Sequence, residues 1–490
     1  MSFIAHTDPE RARMLAAIGV DSIYRLFDVL PHSIRHPNLN LPHPLSELEA
    51  MRLVRSLADR DTDLEAAPSF LGAGVYRHFI PSVVPYVLGR AEFFTSYTPY
   101  QPEVSQGNLQ AIYEYQSLVC ALTGMDVANA SVYDGATAMA EAAIMAVNVT
   151  QRTRVVVAPA VHPEYLATTR AYLQGQKVEV ESLTPPSGTP LPQGGRGAGG
   201  EGFLSPALPQ GGRGAGGEGF LSPAAATAAL DSTTACLIVQ QPNFLGCVED
   251  LRALAEVAHA AGALLIVVVE PISLGLLQPP GALGADIVVG EGQPLGLSMS
   301  YGGPYLGLFA CREQHIRQMP GRIVGATVDT NGRRGFVLTF QTREQHIRRE
   351  KATSNICSNE ALCALGAAVY LNWMGPRGLR EVANACLQGA HYAARRIAEL
   401  PGFSLAFDAP FFSEFAVRCP VPAAEVNRLL LEDGIIGGYD LALFDPSLAD
   451  CLLLAVTELN TRAEIDALVG CLARIGQRTG VATGGKGGAR

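Results

Sequence analysis

Three segments of the sequence have the residue types of a site that binds an anionic cofactor. The first is a turn of small residues, Asp134, Gly135, Ala136 and Thr137, within ASVYDGATAMAEA at 130–142, and it leads into a helical pattern. A helix that begins in this way presents free backbone N–H groups, which bind phosphate or another anion. Close packing at a helix start also requires small residues, and this segment taken alone favours that interpretation.

The other two segments follow apolar runs that are typical of buried strands. The run LLIVVVE ends at Glu270, whose carboxylate could pair with a pyridine nitrogen or could simply end a strand. The window ADIVVGEGQPLGLSMSYGGPYLG at 285–307 contains several glycines, which permit close backbone approach to a ligand or a neighbouring subunit. The polar candidate in this window is Gln293, and the window contains no lysine.

The shortage of lysine limits what such a site can do. The chain has 36 basic residues, and only Lys177, Lys351 and Lys486 are lysines. An enzyme that uses pyridoxal phosphate needs a lysine amine to form an imine with the cofactor aldehyde. Arginine cannot replace it, because the guanidinium stays protonated. We therefore predict that the chain is half of a catalyst and carries no catalytic residue of its own.

Two further segments are polar in a way that suits binding. The stretch at 92–116 interleaves aromatic rings, prolines and polar groups, which is typical of interfaces and binding loops. The stretch at 341–371 places basic residues before a polar turn, which favours either an anion-binding role or a solvated helix face. The candidate contact residues are Ser96, Tyr97, Thr98, Tyr100, Gln101, Glu103, Arg343, Arg348, Lys351 and Asn355.

Composition excludes several classes of protein. The chain has 490 residues, a net charge of −10 and a pI near 5.5, which argues against nucleic acid as the main partner. Its ten cysteines are scattered without a CxxC or Cys/His cluster, so we predict free thiols in a reducing cytosol and no metal site. The N-terminus lacks an apolar signal core, and the most apolar window, 260–277, is interrupted by Glu270 and Pro271. We predict a cytoplasmic protein that does not cross a membrane.

The remaining sequence alternates between short β-branched runs and helical patterns. This alternation predicts an α/β fold with a mostly parallel sheet covered on both faces. After about residue 325 the alternation of short strands and helices gives way to long helical patterns and hairpin-like strands, which predict a smaller α+β domain. Its long helical stretch is interrupted at Gly375 and Pro376. The predicted parts are a helical arm at 1–70, a large domain at 71–325, a small domain at 326–475 and a disordered tail at 476–490.

A perfect tandem duplication interrupts the large domain. The sequence LPQGGRGAGGEGFLSPA occupies 191–207 and recurs at 208–224. Each copy is rich in glycine and has few large apolar residues, so it cannot bury enough surface to offset the entropy of ordering. We predict a disordered, dispensable insert at 187–224.

Several long motifs together resemble one family. TSYTPYQPEVSQG, ANASVYDGATAMAEA, ADIVVGEGQPLG, YGGP, MPGRIVG and TREQHIRREKATSNIC are similar to motifs of the P-proteins of the glycine cleavage system, the decarboxylating glycine dehydrogenases. The resemblance extends from the N-terminus to about residue 475, excluding the duplicated insert. It is to the first subunit of the two-subunit form.

This resemblance implies a fold-type I pyridoxal-phosphate transferase-like domain and two subunits with different roles. The lysine and the cofactor are expected in a homologous second subunit, with two copies of each subunit in a heterotetramer. The complex is expected to decarboxylate glycine and to pass the aminomethyl group to the lipoyl arm of the H-protein. In this chain the resemblance implies a degenerate cofactor pocket, with Gln293 at the lysine position and Glu270 where relatives have aspartate. The residues of that pocket are Asp134, Gly135, Ala136, Thr137, His162, Glu270 and Gln293.

Two alternatives stay open at this point. A self-sufficient pyridoxal enzyme of the desulfurase or decarboxylase type would need a lysine that the sequence does not provide. A scaffold without any role near chemistry would not need the polar segments at 97–103 and 343–355.

Overall fold

The computed structural model describes residues 5–35, 37, 39–183, 221–340, 345–356 and 358–478. The chain divides into two units, Met1–Asp63 and Leu64–Arg490. Arg343 and most of the duplicated insert, together with the end of the predicted tail, lie outside the described residues. Among the described residues, no helix is both long enough and apolar enough to span a membrane.

The first unit is built from short helices with strong start signals. Its helices are α1 (Asp8–Ile18), α2 (His32–Arg35) and α3 (Glu47–Ala58). Thr7 with Glu10, and Ser46 with Glu49, form capping boxes that satisfy the first backbone N–H groups of α1 and α3. None of these three helices buries a residue, so this unit has no core of its own in its described part.

The second unit contains a seven-stranded sheet whose order is β1-β7-β6-β5-β4-β2-β3. Neighbours from β6 through β3 are parallel, and β7 runs antiparallel to both β6 and β1. The central strands are continuous apolar runs that are buried throughout, as expected for a sheet covered on both faces. The strands are β1 (Val127–Ala128), β2 (Arg154–Val157), β3 (Glu179–Ser182), β4 (Thr234–Gln241), β5 (Leu264–Val269), β6 (Ile287–Glu291) and β7 (Gly307–Cys311).

Helices pack on this sheet, and they confirm the predicted α/β class. Helix α7 contacts β4, β5, β6 and β7, while α10 contacts β4 and β5. Helix α6 ends at Gly124, which has the left-handed conformation (φ 69°) typical of a glycine that terminates a helix. The helices are α4 (Val83–Leu88), α5 (Ala91–Phe94), α6 (Gln106–Thr123), α7 (Gly135–Thr150), α8 (Pro163–Leu173), α9 (Pro223–Ala229), α10 (Leu251–Ala260) and α11 (Gln345–Arg348).

A long bent helix leads from the large core to a smaller one. Helix α12 (Ala361–Ala398) bends at Gly375 (φ 60°), which is followed by Pro376, as the sequence predicts. Its buried side chains as far as Leu387 belong to the core of the large sheet, and those from Ala390 onward belong to a second core. That second core lies on a four-stranded antiparallel sheet of order β10-β11-β13-β12. Its elements are β10 (Ser404–Leu405), β11 (Glu414–Arg418), α13 (Ala423–Glu432), β12 (Tyr439–Asp440), β13 (Cys451–Ala455) and α14 (Arg462–Arg478).

The proposed domain boundary at residue 325 falls inside a hairpin. Strands β8 (Ile323–Val328) and β9 (Arg334–Thr339) pair with each other and pack on α6. The core changes later, between Leu387 and Ala390 of α12. These contacts favour a domain boundary within α12. The sequence pattern shows where the types of secondary structure change, but it does not show which core each element packs against.

The last four residues of the predicted insert are ordered, which corrects the boundary at 224. Leu221 is only 3% exposed and belongs to the large core, and its N–H donates to Glu249 Oε2 (3.1 Å). The Ser222 hydroxyl accepts the Ala225 N–H at the start of α9, with Pro223 in the first turn. The end of the repeat therefore supplies a core leucine and a serine-proline helix start.

We expect Leu221→Ala to lower the free energy of unfolding by about 2–4 kcal/mol, because it empties a fully buried leucine site. The matched control is Leu204→Ala, the same residue in the first copy, which should leave stability unchanged. Deleting 208–224 should also be harmless, since 204–207 then supply the identical Leu-Ser-Pro-Ala sequence. Urea unfolding of the three variants checks this, and equal losses from both leucine substitutions would contradict it.

Candidate functional site

The candidate site lies where the carboxyl ends of β4, β5 and β6 meet the start of α7. Ligands in open α/β sheets bind at this edge, where connections leave in different directions. Glu270 follows β5, Glu291 ends β6 and Gln293 comes two residues later. Asp134 caps α7 from the neighbouring turn. The structure thus brings these sequence motifs together in one region.

The start of α7 is already occupied by carboxylates. The Asp134 carboxylate accepts the Thr137 N–H (2.7 Å), and the Thr137 hydroxyl accepts the Asp134 N–H (3.1 Å). The Gly135 N–H donates to Glu291 Oε2 (2.9 Å). Ala136 lies in the same first turn and is partly exposed. Two of the backbone donors that could bind an external anion therefore bind the chain's own side chains.

Glu291 holds the centre of this arrangement, and the sequence analysis did not single it out. Its Oε1 accepts the N–H groups of Gln293 (2.9 Å) and Leu306 (3.0 Å), in addition to the bond from Gly135 to Oε2. Burial raises the pKa of Glu291 to about 7, although these three N–H donors oppose the shift. The sequence signal that could have identified Glu291 is a charged residue at the end of an apolar strand, where β6 meets α7.

Gln293 is buried, and its amide has no free hydrogen-bonding group. Its Oε1 accepts the Tyr76 N–H (3.1 Å), and its Nε2 donates to Tyr76 O (3.0 Å) and Leu297 O (2.8 Å). The amide therefore joins the backbone of a distant segment, residues 72–79, to the site. We call residues 72–79 the pocket segment.

The pocket segment also covers His162, the residue that caps α8. The Nε2 atom of His162 donates to Ala73 O (2.9 Å), because its Nδ1 accepts the Glu164 N–H (3.2 Å). Gly74 (φ 104°) approaches so closely that a Cβ there would lie 2.7 Å from His162 Nε2. The ring also stacks on Tyr165, with centroids 4.5 Å apart, and Phe244 packs against it with centroids 4.9 Å apart. Both the edge and a face of His162 are thus in contact with the protein itself.

Two glutamates complete the enclosure of the pocket segment. Glu414 accepts the Ala73 N–H (2.7 Å) and the Tyr76 hydroxyl (2.7 Å). Burial raises the pKa of Glu414 to about 7, with these two donors opposing the shift and Glu270 adding to it. Glu270 accepts the N–H groups of Ile272 (2.9 Å) and Ser273 (2.6 Å), and burial raises its pKa. Glu270 therefore caps the turn after its own strand.

Pyridoxal phosphate, which the resemblance implies for the family, does not fit this pocket. A bound cofactor needs a lysine amine, free N–H groups for its phosphate and space beside its ring. Here the Gln293 amide is fully bonded, the α7 start binds Glu291 and Asp134, and the pocket segment fills the space beside His162. We derive no chemical step through a cofactor in this chain.

The aromatic loop, residues 96–103, has an exposed part and a part that is hydrogen-bonded to the rest of the chain. Tyr97 is 79% exposed, and Gln101 and Glu103 are also exposed. Ser96 is exposed with its hydroxyl bonded to Phe93 O (2.8 Å), and Thr98 is half-buried. Tyr100 differs from these residues, because its hydroxyl accepts a hydrogen bond from Arg322.

Tyr100 belongs to a network that links three of the sequence motifs. The Arg322 guanidinium donates to the Tyr100 hydroxyl (3.0 Å) and to Asn359 Oδ1 (3.3 Å). Asn359 in turn donates to Ala130 O (2.8 Å) in the turn before α7. The sequence did not point to Arg322, because a single arginine in MPGRIVG has no pattern of its own. Its burial, at 7% exposure, is what makes it a structural link.

The basic segment lies just before this network. Arg348 ends α11, Lys351 follows in a short 3₁₀ turn, and Asn355 comes four residues later. All three side chains are exposed, which suits contact with a partner. Arg343, predicted with them, lies outside the described residues.

Comparisons with known proteins agree with the resemblance. A profile of the family described as "Glycine cleavage system P-protein" matches residues 1–472. The chain is similar to the probable glycine dehydrogenase (decarboxylating) subunit 1 of Thermomicrobium roseum, at 51% identity over 96% of this chain and 99% of that one. It is also similar to the protein of the same name in Desulforamulus reducens, at 49% identity over 97% and 100%.

Solved structures give the same result for the fold. A glycine decarboxylase (P-protein) of the glycine cleavage system in inhibitor-bound form has a TM-score of 0.83 and 42% identity, covering 97% of this chain and 100% of that chain. Glutamate decarboxylase of Lactobacillus brevis has a TM-score of 0.63 at 13% identity, covering 92% and 98%, and shows the fold alone. These neighbours confirm the predicted pyridoxal-enzyme fold class.

The buried Glu414 should make stability depend on pH. An acid whose pKa is about 7 in the fold and ordinarily 4.5 stabilises the fold below pH 4.5, and this contribution is lost as pH rises through 7. Between pH 5 and 8 the loss is on the order of 2–3 kcal/mol. Urea unfolding of Glu414→Gln should show a pH slope smaller by this amount, whereas the exposed Glu256→Gln should keep the parent slope. Parallel pH profiles for parent and Glu414→Gln would refute the assignment.

A second prediction concerns cofactor binding by the isolated chain. We expect no stoichiometric pyridoxal-phosphate adduct after borohydride reduction and peptide mapping, because Gln293 offers no amine and the pocket is filled. Equilibrium dialysis should likewise detect no tight non-covalent binding. A specific, stoichiometric label on Lys177 or Lys351 would show that the argument is wrong.

Proposed function

Because the chain belongs to the glycine cleavage system P-protein family, we propose that it is the lysine-lacking subunit of a two-subunit glycine dehydrogenase (decarboxylating). The observation that carries the proposal is its filled pocket, in a chain that is 51% identical to a subunit 1 over nearly its whole length. The name "subunit 1" implies a second subunit. We place the reactive lysine and pyridoxal phosphate in that homologous partner.

The proposed complex decarboxylates glycine and transfers the aminomethyl group to the lipoyl arm of H-protein. Two copies of each subunit would form a heterotetramer, in which this chain supplies binding surface and not chemistry. A self-sufficient pyridoxal enzyme is disfavoured by the bonding of Gln293, whose amide is committed to Tyr76 and Leu297.

We propose that the aromatic loop contacts the active site or the lipoyl channel of the partner subunit. Pro99 and Pro102 restrict the backbone of the loop, so its side chains are positioned at low entropic cost. The Tyr97 ring and hydroxyl are exposed at the tip of the loop, where an apolar face and a polar group suit a wall that must hold both kinds of surface. Tyr100 instead fixes the base of the loop through Arg322.

The basic segment would contribute charge to the same partner face. Arg348 and Lys351 are exposed and precede Asn359 by 11 and 8 residues. Asn359 in turn bonds both to Arg322 and to the turn before α7. An exposed pair of cations suits an anionic substrate group or an acidic partner surface. Asn355 would add a neutral hydrogen-bonding group there.

The test is reconstitution of this chain with a lysine-bearing subunit, followed by glycine–bicarbonate exchange. We expect each subunit alone to be inactive and the mixture to be active. Tyr97→Ala should reduce exchange at least about tenfold while size-exclusion chromatography shows intact assembly, since one transition-state contact contributes about that much.

Matched variants separate the parts of the loop. Tyr97→Phe tests the Tyr97 hydroxyl alone. Tyr100→Phe should lower the melting temperature while having little effect on the exchange rate, because the Tyr100 hydroxyl bonds within this chain. Unchanged exchange in a fully assembled Tyr97→Ala complex would exclude the loop from the shared site. Exchange by this chain without its partner would overturn the proposed function itself.

A further inference from the structure

A buried group of three side chains, each of a different metal-ligand type, lies at one end of the pocket segment. The ligand atoms of His78, Cys386 and Glu458 all lie within 4.8 Å of one another. His78 Nδ1 is 2.7 Å from Glu458 Oε2, and Cys386 Sγ is 3.4 Å from the same oxygen. The residues come from the pocket segment, from α12 and from the turn between β13 and α14, so the fold and not a local motif brings them together.

These side chains are unusually buried for groups that can carry a charge. The side chains of His78 and Glu458 are 6% and 13% exposed, and Cys386 is fully buried. Among the described residues, no arginine or lysine pairs with Glu458 or with the neighbouring Glu270, and His78 is the basic group that contacts Glu458. The cluster therefore places a buried carboxylate directly beside a buried thiol, with His78 as the basic neighbour.

We propose that His78, Cys386 and Glu458 bind one divalent transition-metal ion, with zinc as the best match. Zinc takes nitrogen, thiolate and carboxylate ligands at about 2.0–2.3 Å in tetrahedral geometry, which places ligand atoms roughly 3.3–3.6 Å apart. Two of the separations, 2.7 and 3.4 Å, join side chains that now share hydrogen bonds, and the third, between His78 and Cys386, is within 4.8 Å. Shifts of about 1 Å or less bring all three to this geometry. A thiolate and a carboxylate would neutralise the charge of the ion.

The surroundings of the cluster support this assignment. Glu458 Oε1 accepts the Phe79 N–H (2.7 Å), which orients the carboxylate and leaves Oε2 toward His78 and Cys386. The Tyr370 hydroxyl is buried and has no hydrogen-bond partner among the described residues. Glu458, Cys386 and Glu270 interact electrostatically with this hydroxyl, so it lies near the cluster. Three protein ligands leave a fourth position, where a metal-bound water would give this hydroxyl a partner.

The ion would have a structural role. It would join the pocket segment to α12 and to the turn before α14, at the point where the large core passes into the small one. Coordination of Cys386 to the ion would release the proton of its thiol. Metal binding should therefore weaken as pH falls. This inference does not depend on the proposed function, since it concerns only the fold of this chain.

Cobalt substitution of the full chain tests the proposal. The protein is expressed in cobalt-supplemented medium, with and without its partner, and is compared with chelator-treated protein reloaded with zinc. We expect one ion per chain, a thiolate-to-cobalt charge-transfer band in the near ultraviolet, and a higher melting temperature for the loaded protein. Absence of both stoichiometric metal and the charge-transfer band in the parent protein would show that the cluster is a hydrogen-bond network only.

Variants assign the ligands. Cys386→Ala should abolish the charge-transfer band, and His78→Gln and Glu458→Gln should each weaken cobalt binding at least tenfold. Cys363→Ala is the matched control, because Cys363 is a buried cysteine on the same helix that contacts Pro304 O and is not in the cluster. If a variant does not fold, X-ray absorption spectroscopy of the metal in the parent protein still tests the proposal. The proposal requires one sulfur ligand together with nitrogen and oxygen ligands. Equal metal content in Cys386→Ala and Cys363→Ala would overturn the proposal.

Discussion

The pairing between the Gln293 amide and the Tyr76 backbone is the interaction on which the rest of the site depends. One buried side chain accepts the N–H and donates to the C=O of a single residue 217 positions away. Leaving either backbone group unsatisfied in this interior would cost about 1–3 kcal/mol. The pairing fixes the pocket segment so that Ala73 meets His162, Tyr76 meets Glu414 and His78 meets Glu458. A lysine at position 293 could not make this pair, because it has donors and no acceptor.

The site is filled by acids that backbone N–H groups satisfy. Glu291, Glu414 and Glu270 each accept bonds from the main chain, and burial raises the pKa of each. A pocket that binds an external phosphate needs the opposite arrangement, with free donors and positive charge. Here a carboxylate of the chain already takes the place of the external anion at the start of α7. The pocket is thus not merely short of a lysine, since its electrostatics also disfavour the cofactor.

Periodic and local features could be predicted from the sequence, whereas long-range polar contacts could not. The apolar strands, the helix end at Gly124 and the bend at Gly375 follow from patterns within a few residues. The Tyr76–Gln293 pair and the cluster of His78, Cys386 and Glu458 join positions hundreds of residues apart, and each residue alone has an ordinary surrounding sequence. Leu221 was missed for a different reason. A glycine-rich repeat hid the serine-proline helix start at its end.

The filled pocket gives a physical reason why a subunit can lose its chemistry and keep its fold. An empty cofactor pocket would expose buried polar groups, and those would cost stability unless water or a ligand met them. In this chain the pocket segment bonds to them, so they have partners without a cofactor. Hydrogen bonds continue from the turn before α7 through Asn359 and Arg322 to Tyr100 at the base of the aromatic loop. The exposed Tyr97 is three residues from this bonded base, which suits the wall that we propose it forms beside another subunit's active site.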